Sequence, residues 1–342
     1  MSASEEIGVT APNPASAAPP PGGAWLKATV LHLLATHGLL IFGIILVIVF
    51  SFLLPQTFSG TQTFRAILGN NTTVALLAFA EMAVIATGNY DLSIAYNVGL
   101  MHILAMGLLT DAMVPWPLVV VLTVAAGGLI GWINGALVEY AKIDSFIATL
   151  GVGTILYGIG SWYTNGTQLV GNVPPAFAAI NDASILSIPL PTYMVAVVAI
   201  LAWICLEHLP IGRRLYAIGS NRRAAELIGV PARRLVMGAF ASSGLIVGLA
   251  GVILAARLQV AQSSVGPEFL LPAFVGALLG ATTVRPGRVN AWGTIIAVLV
   301  LAVGIAGLQQ LGNSFFAEPI FQGVALIVSV GLAGYAARRR KR

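Results

Sequence analysis

Two groups of residues in this 342-residue chain carry charge where the surrounding sequence is almost entirely apolar. The first is a carboxylate pair with polar neighbours. Glu81 lies inside an apolar run, and Gly88-Asn89-Tyr90-Asp91-Leu92-Ser93 interrupts that run and the next. An ionisable side chain in such a run marks a substrate or ion pathway by default. Glu81 could accept hydrogen bonds from substrate hydroxyls, or be a hydrogen-bonded contact within a bundle. Gly88 and Asn89 are helix-ending residues, and Asp91 or Asn89 can cap a new helix from Leu92 onward. Two apolar segments that meet with almost no loop place this break below a membrane surface, where irregular backbone survives only against protein or a watery cavity. Transporters put substrate and gating elements at such breaks. A tight surface turn with Asp91 as a solvated cap is the other reading. Asn89, Tyr90, Asp91, Ser93, Asn97 and Asn134 join Glu81 as substrate-pathway candidates. Asn97 and His102 are five apart, poorly placed to share a helix face, so no metal pair is implied.

The second group is the stretch Leu209–Leu235, which holds six arginines and one glutamate between long apolar runs. So much charge excludes it from hydrocarbon. It contains a short helix with signals at both ends. Asn221 caps the start, Ala224 to Ile228 favour helix, Gly229 suits a left-handed stop, and Pro231 blocks continuation. Leu227 and Ile228 then stand on an aqueous loop with no membrane to enter, which reads as a docking element for another protein. Arg222, Arg223, Ala225 and Glu226 complete it, with Arg222 and Arg223 as rim contacts.

The elements that must position these groups are membrane helices. The chain is 58% hydrophobic and only 8% charged, about a third of the charge of a soluble domain, with 38 glycines. The fold class is therefore all-α, a polytopic helical bundle. Ten spans are expected: 28–54, 71–88, 92–112, 117–140, 145–163, 190–209, 235–256, 270–284, 291–311 and 319–337. Several fall short of the ~20 residues of a straight crossing, 71–88 and 270–284 most of all. Residues 1–24 form a Pro- and Ala-rich disordered tail; 25–337 form the membrane domain with a cytoplasmic loop at 210–234; 338–342 form a basic end. The tail is no signal peptide, because the apolar run after it is far longer than a signal core.

With the first residue inside, 15 of the 17 basic residues fall on inner segments, and only Arg65 and Arg257 fall outside. Positive-inside topology therefore places both termini in the cytoplasm. It also accounts for the net charge of +5 without nucleic acid. Glu139, Asp144, Glu207 and His208 sit at inner span ends and read as interfacial. The outer loop 164–189, polar and stiffened by Pro174 and Pro175, is a docking rim for an extracytoplasmic partner or a connector. The single cysteine, Cys205, excludes an intrachain disulfide and a cysteine metal cluster. There is no Walker-type Gly-rich Lys motif, no His-Glu-x-x-His and no Gly-x-Ser-x-Gly. Active transport would draw its energy from a partner chain or an ion gradient.

Several segments resemble the bacterial monosaccharide ABC permeases, the ribose, xylose, arabinose and galactoside importers. Gly88 to Ser93 resembles their Gly-Gly-Ile-Asp-Leu-Ser. Gly131-Trp132-Ile133-Asn134-Gly135 resembles Gly-x-x-Asn-Gly, and Ser145 to Gly151 resembles Pro-x-Phe-Ile-x-Thr-Leu-Gly. Gly212 to Gly219, with Asn221, Ala224, Ala225 and Gly229, resembles their cytoplasmic loop. Gly276 to Thr283 and Gly287-Arg288 resemble Leu-Gly-Gly-Thr-Ser and the Gly-Arg after it. The likeness runs from about residue 40 to the C-terminus. It implies a permease dimer, homomeric or heteromeric, in the bacterial inner membrane. Its partners would be a cytoplasmic ABC ATPase, which binds ATP and Mg, and a periplasmic sugar-binding protein; the chain itself needs no cofactor. It also implies that Arg222–Gly229 is the coupling helix. Asn89, Tyr90 and Ile94-Ala95-Tyr96 depart from the family pattern by adding bulk at the break, and Ala281 and Val284-Arg285-Pro286 replace glycines. An unusual sugar or polyol would fit those departures. The rivals are a gradient-coupled carrier, for which Glu81 and Asp91 are the available coupling carboxylates, and a membrane scaffold.

Overall fold

The computed structural model describes residues 22–312 and 316–327. The expected basic end at 338–342 and most of the expected tail lie outside them. Residues 22–24, expected in the tail, already belong to the first helix, α1 (Gly22–Leu53). The chain continues through α2 (Thr61–Asn70), α3 (Thr72–Ile85), α4 (Ser93–Thr110), α5 (Trp116–Glu139) and α6 (Ser145–Thr164). Next come α7 (Pro175–Asp182), α8 (Leu190–Trp203), α9 (Pro210–Ser220), α10 (Arg222–Leu227) and α11 (Ala232–Leu258). Helices α12 (Leu270–Gly280), α13 (Ala291–Gln310) and α14 (Ala317–Ile327) close the described chain.

Every one of the ten expected spans is thus helical within the described residues. Seven segments are long and apolar enough to cross a membrane alone, and the α2–α3 pair makes an eighth. The span expected at 71–88 is a bent one: α2 and α3 meet at 42° around Asn71. Asn71 Nδ2 donates to the Ile67 carbonyl at 2.9 Å and Thr72 Oγ1 to that of Gly69 at 2.9 Å, satisfying groups that the bend releases. The short run at 270–284 gains length at its other end, because 3-10 turns at Ser263–Val265 and Pro267–Phe269 lead into α12.

Helix α3 is apolar on all sides, and an all-round apolar helix must be surrounded. It is: Leu76, Leu77 and Ala80 pack against Ile94 and Val98 of α4, Val247, Ala250 and Leu254 of α11, and Ala273 of α12. Helices α5, α6 and α8 form the periphery and turn large apolar side chains such as Val121, Ile155 and Val197 outward. The closest helix pair is α5 with α11. Gly127, Gly131 and Gly135 recur every fourth residue; Gly127 and Gly131 face Gly244 and Gly248, and Gly135 faces Met237 and Phe240. A Cβ at Gly131 would stand 2.2 Å from the Phe240 carbonyl oxygen. Two backbones in such contact gain close van der Waals packing, which drives helix association in lipid.

Two ends result. One gathers Gly88–Ser93, the 140–145 turn, α9, α10 and the 281–290 turn; it is the arginine-rich end. The opposite end carries the only strands among the described residues. β1 (Leu169–Val170) pairs antiparallel with β4 (Val260–Ala261), and β2 (Ser184–Ile185) with β3 (Ile188–Pro189). The loop 164–189 is therefore stitched to the 257–269 segment, and Gln168 Nε2 donates to Gln262 Oε1 at 2.8 Å across the same seam.

Candidate functional site

The break between α3 and α4 is buried. Asp91 and Ser93 are enclosed, while Tyr90 keeps 41% of its surface exposed. A surface turn with a solvated Asp91 is thereby set aside. Gly88 supplies the turn at φ +82°. Four successive backbone N–H groups then need acceptors, and each finds a side chain. Tyr90 N donates to Ser145 Oγ at 3.2 Å, and Asp91 N to both Glu81 oxygens at 3.3 Å. Leu92 N donates to Thr149 Oγ1 at 2.9 Å, and Ser93 N to Asp91 Oδ1 at 3.0 Å. Ser93 Oγ also donates to Asp91 Oδ1 at 2.6 Å, and Asn134 Nδ2 donates to Ser93 Oγ at 2.7 Å. Buried backbone donors are satisfied almost without exception, and here the satisfaction fixes the mutual position of α3, α4, α5 and α6.

The structure thus brings together Glu81, Asp91, Ser93 and Asn134 of the seven pathway candidates. Asn89 turns its amide to Thr87 Oγ1, Tyr90 stacks on Phe274 of α12 at 6.4 Å, and Asn97 reaches the Gly127 carbonyl at 3.5 Å. His102 is tied to the Val260 carbonyl at 2.8 Å. A cavity of about 770 Å³ opens instead at the opposite end, between α2, α11, α13 and α14, and none of the seven borders it.

The docking element takes the form its caps dictate. Asn221 Oδ1 accepts from Ala224 N at 3.0 Å, α10 runs Arg222–Leu227, and Gly229 turns the chain at φ +83°. Ala225 is buried with Val84, Val138, Ala148 and Val236, so one face of α10 is anchored in the membrane domain. The other face is bare: Leu227 is 82% exposed and Ile228 78%.

Sequence reasoning missed how α10 is held. Arg222, expected at the rim, is also tied inward. Its guanidinium forks onto Glu139 at the end of α5, at 2.7 and 2.6 Å, and also bonds Glu226 Oε1 at 3.0 Å. Glu139 is fully buried rather than interfacial, and Lys142 Nζ stands 3.8 Å from it. The carboxylate beside it raises the Arg222 guanidinium further above its ordinary value, so the charge is permanent. Glu207 is likewise paired, with Arg285 at 2.9 Å, and Asp144 caps α6 through Phe146 N and Ile147 N. A second contact joins this module to the break: a Cβ on Gly219 would stand 2.5 Å from the Ala86 carbonyl oxygen and 3.1 Å from Gly88 N. Only glycine lets α9 approach that closely. Asn290, also unanticipated, knots the turn after α12. Its amide donates to the carbonyls of Gly280, Thr283 and Arg288, all at 3.1 Å, and its oxygen accepts from Gly293 N at 2.8 Å.

The described residues form a polytopic bundle with a buried break and a short helix offered outward on two internal tethers. Residues 64–332 match the family described as branched-chain amino acid transport system / permease component. The chain belongs to this permease family. It is also similar to two proteins named ribose import permease protein. That of Bacillus subtilis is 33% identical over 84% of this chain and 88% of the relative, and that of Haemophilus influenzae is 30% identical over 87% and 92%. The autoinducer 2 import system permease protein of Escherichia coli is 31% identical over 75% of this chain and 79% of the relative. No solved structure matches the permease. The resemblance to sugar-importer permeases of the ABC class is borne out. The permease is a multi-pass inner-membrane protein, and its family implies ATPase and solute-binding partners in general.

Proposed function

We propose that this permease carries a monosaccharide, a ribose-like pentose, a hexose or a related polyol, from a periplasmic binding protein across the inner membrane. It acts as one half of a homo- or heterodimer, with both termini cytoplasmic. ATP and Mg bind on a separate ATPase chain, and this chain carries no cofactor. The observation that carries the reading is α10, capped, tethered and exposing Leu227 and Ile228 at the arginine-rich end. An exposed apolar pair on a rigid short helix is the geometry of an anchor for a partner's groove. Membrane-facing apolar residues need no such explanation, but these stand among arginines that hydrocarbon excludes. The ribose import permeases that the chain resembles supply the solute class. Arg223, exposed beside the anchor, adds salt-sensitive orientation. The break then serves as the inner joint of the pathway: Glu81 and Asp91 hold backbone N–H groups and Asn134 Nδ2 holds Ser93, while Asn134 Oδ1 is buried without a partner.

The test is assembly. Co-expression with the ATPase subunit is expected to yield a stoichiometric complex whose hydrolysis is stimulated by sugar-loaded binding protein. A permease that purifies without any ATPase and is indifferent to the binding protein would refute the assignment.

Glu81 separates this reading from a gradient-coupled carrier. Its carboxylate accepts the Asp91 N–H. A glutamine in its place keeps one acceptor oxygen, while an alanine keeps none. Glu81→Gln is expected to retain most uptake, and Glu81→Ala to lose about 1–3 kcal/mol of stability from an orphaned buried donor. Thermal unfolding and uptake measured on both variants decide it: loss of all uptake in Glu81→Gln with unchanged folding is the carrier's signature.

A further inference from the structure

The cavity at the far end borders none of the residues that hold the break or the docking helix, and its chemistry is distinctive. It lies at the end opposite the arginines, about 770 Å³ in volume, large enough for a monosaccharide and its water. Arg257, Glu268 and Glu318 line it. Arg257 is held by its Nη1 bond to the Asn70 carbonyl at 2.9 Å, across the bend between α2 and α3. Glu318 is held by two amides, Gln309 Nε2 on Oε2 and Gln322 Nε2 on Oε1, both at 3.0 Å. Gln310 reaches Thr63 Oγ1 at 3.4 Å, and its own Oε1 is buried with no partner. An orphaned buried acceptor costs about 1–3 kcal/mol, and a turn of the Gln310 amide toward the cavity would present its oxygen to a ligand donor. Phe269 adds a ring to the same wall.

Amides and carboxylates held in fixed orientation suit vicinal hydroxyls, which both donate and accept. The ring suits the apolar face of a sugar. One guanidinium against two carboxylates leaves the wall net negative, which disfavours an anion. We propose that this cavity is the site where the permease receives its solute from the binding protein, and that it selects neutral polyhydroxylated molecules against sugar acids and sugar phosphates. The inference rests on the importer reading and adds the receiving site, its residues and its charge preference. Gln310 and Glu318 are the specificity residues; Arg257 is a positioning residue that sets the α2–α3 bend.

The experiment uses the full importer, permease with ATPase and binding protein, in proteoliposomes, with D-ribose and its acid D-ribonate as probes. Uptake and ATP hydrolysis are recorded together. Gln310→Ala and Glu318→Ala are expected to lower D-ribose uptake at least tenfold while sugar-loaded binding protein still stimulates hydrolysis, so that ATP is consumed without transport. Glu318→Gln, which keeps the shape and removes the charge, is expected to retain D-ribose uptake and narrow its advantage over D-ribonate. Uptake per ATP equal to the unaltered importer in both alanine variants would overturn the proposal. A failure of coupling reads differently, as lost stimulation of hydrolysis. An unaltered complex with no ATP-dependent uptake of either probe would overturn the importer reading and this site with it.

Discussion

Replacing Leu227 with aspartate is expected to weaken ATPase binding by about 30-fold or more and to leave the permease folded. Both halves of that expectation follow from where the side chain sits. Leu227 is 82% exposed, and the fold gains little from it. The helix itself is held by the Asn221 cap, by buried Ala225 and by the Arg222–Glu139 fork, none of which the substitution touches. A leucine that buries fully in a partner contributes about 1.5–3 kcal/mol, and a central anchor about 2 kcal/mol or more. Two kcal/mol is roughly a factor of 30 in affinity. A carboxylate in an apolar groove adds its own desolvation cost. Gly229→Val probes the same helix from its backbone. Nothing stands within 4 Å of a Cβ there, so no clash results, yet φ +83° strains a β-branched residue by about 1–2 kcal/mol. Affinity measured between detergent-purified variants and the ATPase checks both. Wild-type affinity for Leu227→Asp, in a permease with unchanged thermal unfolding, would remove α10 from the interface.

The second large effect is expected at Asp91. Leucine at that position removes the acceptor of Ser93 N, of Ser93 Oγ and of the longer Asn134 contact at 3.4 Å. Ser93 N is the first donor of α4 and is buried, so it has no water to turn to. Each orphaned group costs about 1–3 kcal/mol, and two of them bring the loss to about 2–6 kcal/mol. Asp91→Leu is therefore expected to lower the midpoint of thermal unfolding and to cut uptake at least tenfold in the protein that still inserts and assembles. Asp91→Asn keeps Oδ1 and is expected to stay close to the unaltered permease. A folded Asp91→Leu permease with normal uptake would show that the joint has no part in transport.

What was legible in the sequence was local. A cap, a left-handed glycine and a proline stop are decided within ten residues, so Asn221, Gly229 and Pro231 announced α10 before any fold was known. Continuous apolar runs announced the spans for the same reason. The break was legible because Gly88 and Asp91 are a stop and a start in immediate succession. What could not be read was pairing over distance. Glu139 and Arg222 are 83 residues apart, and nothing in either run says that a carboxylate at one span end faces an arginine after another. Arg222 therefore read as a rim charge and Glu139 as an interfacial one. Asn290 and Gly219 were missed on the same ground, because their partners come from other helices. The polar cavity is assembled from residues of four separate helices and of the 3-10 turn before α12, each ordinary on its own. Its one visible signal was Arg257, an arginine against the topology rule. That exception is accounted for by its bond to Asn70 at the bend.

Transport itself tests the central claim. Proteoliposomes holding the permease with its ATPase and its binding protein are loaded with ATP, and uptake of a radiolabelled neutral sugar is followed with and without ionophores that collapse ion gradients. The account predicts uptake that requires ATP and binding protein and that ionophores leave unchanged. Uptake by the permease alone, driven by a proton or sodium gradient and indifferent to ATP, would contradict it.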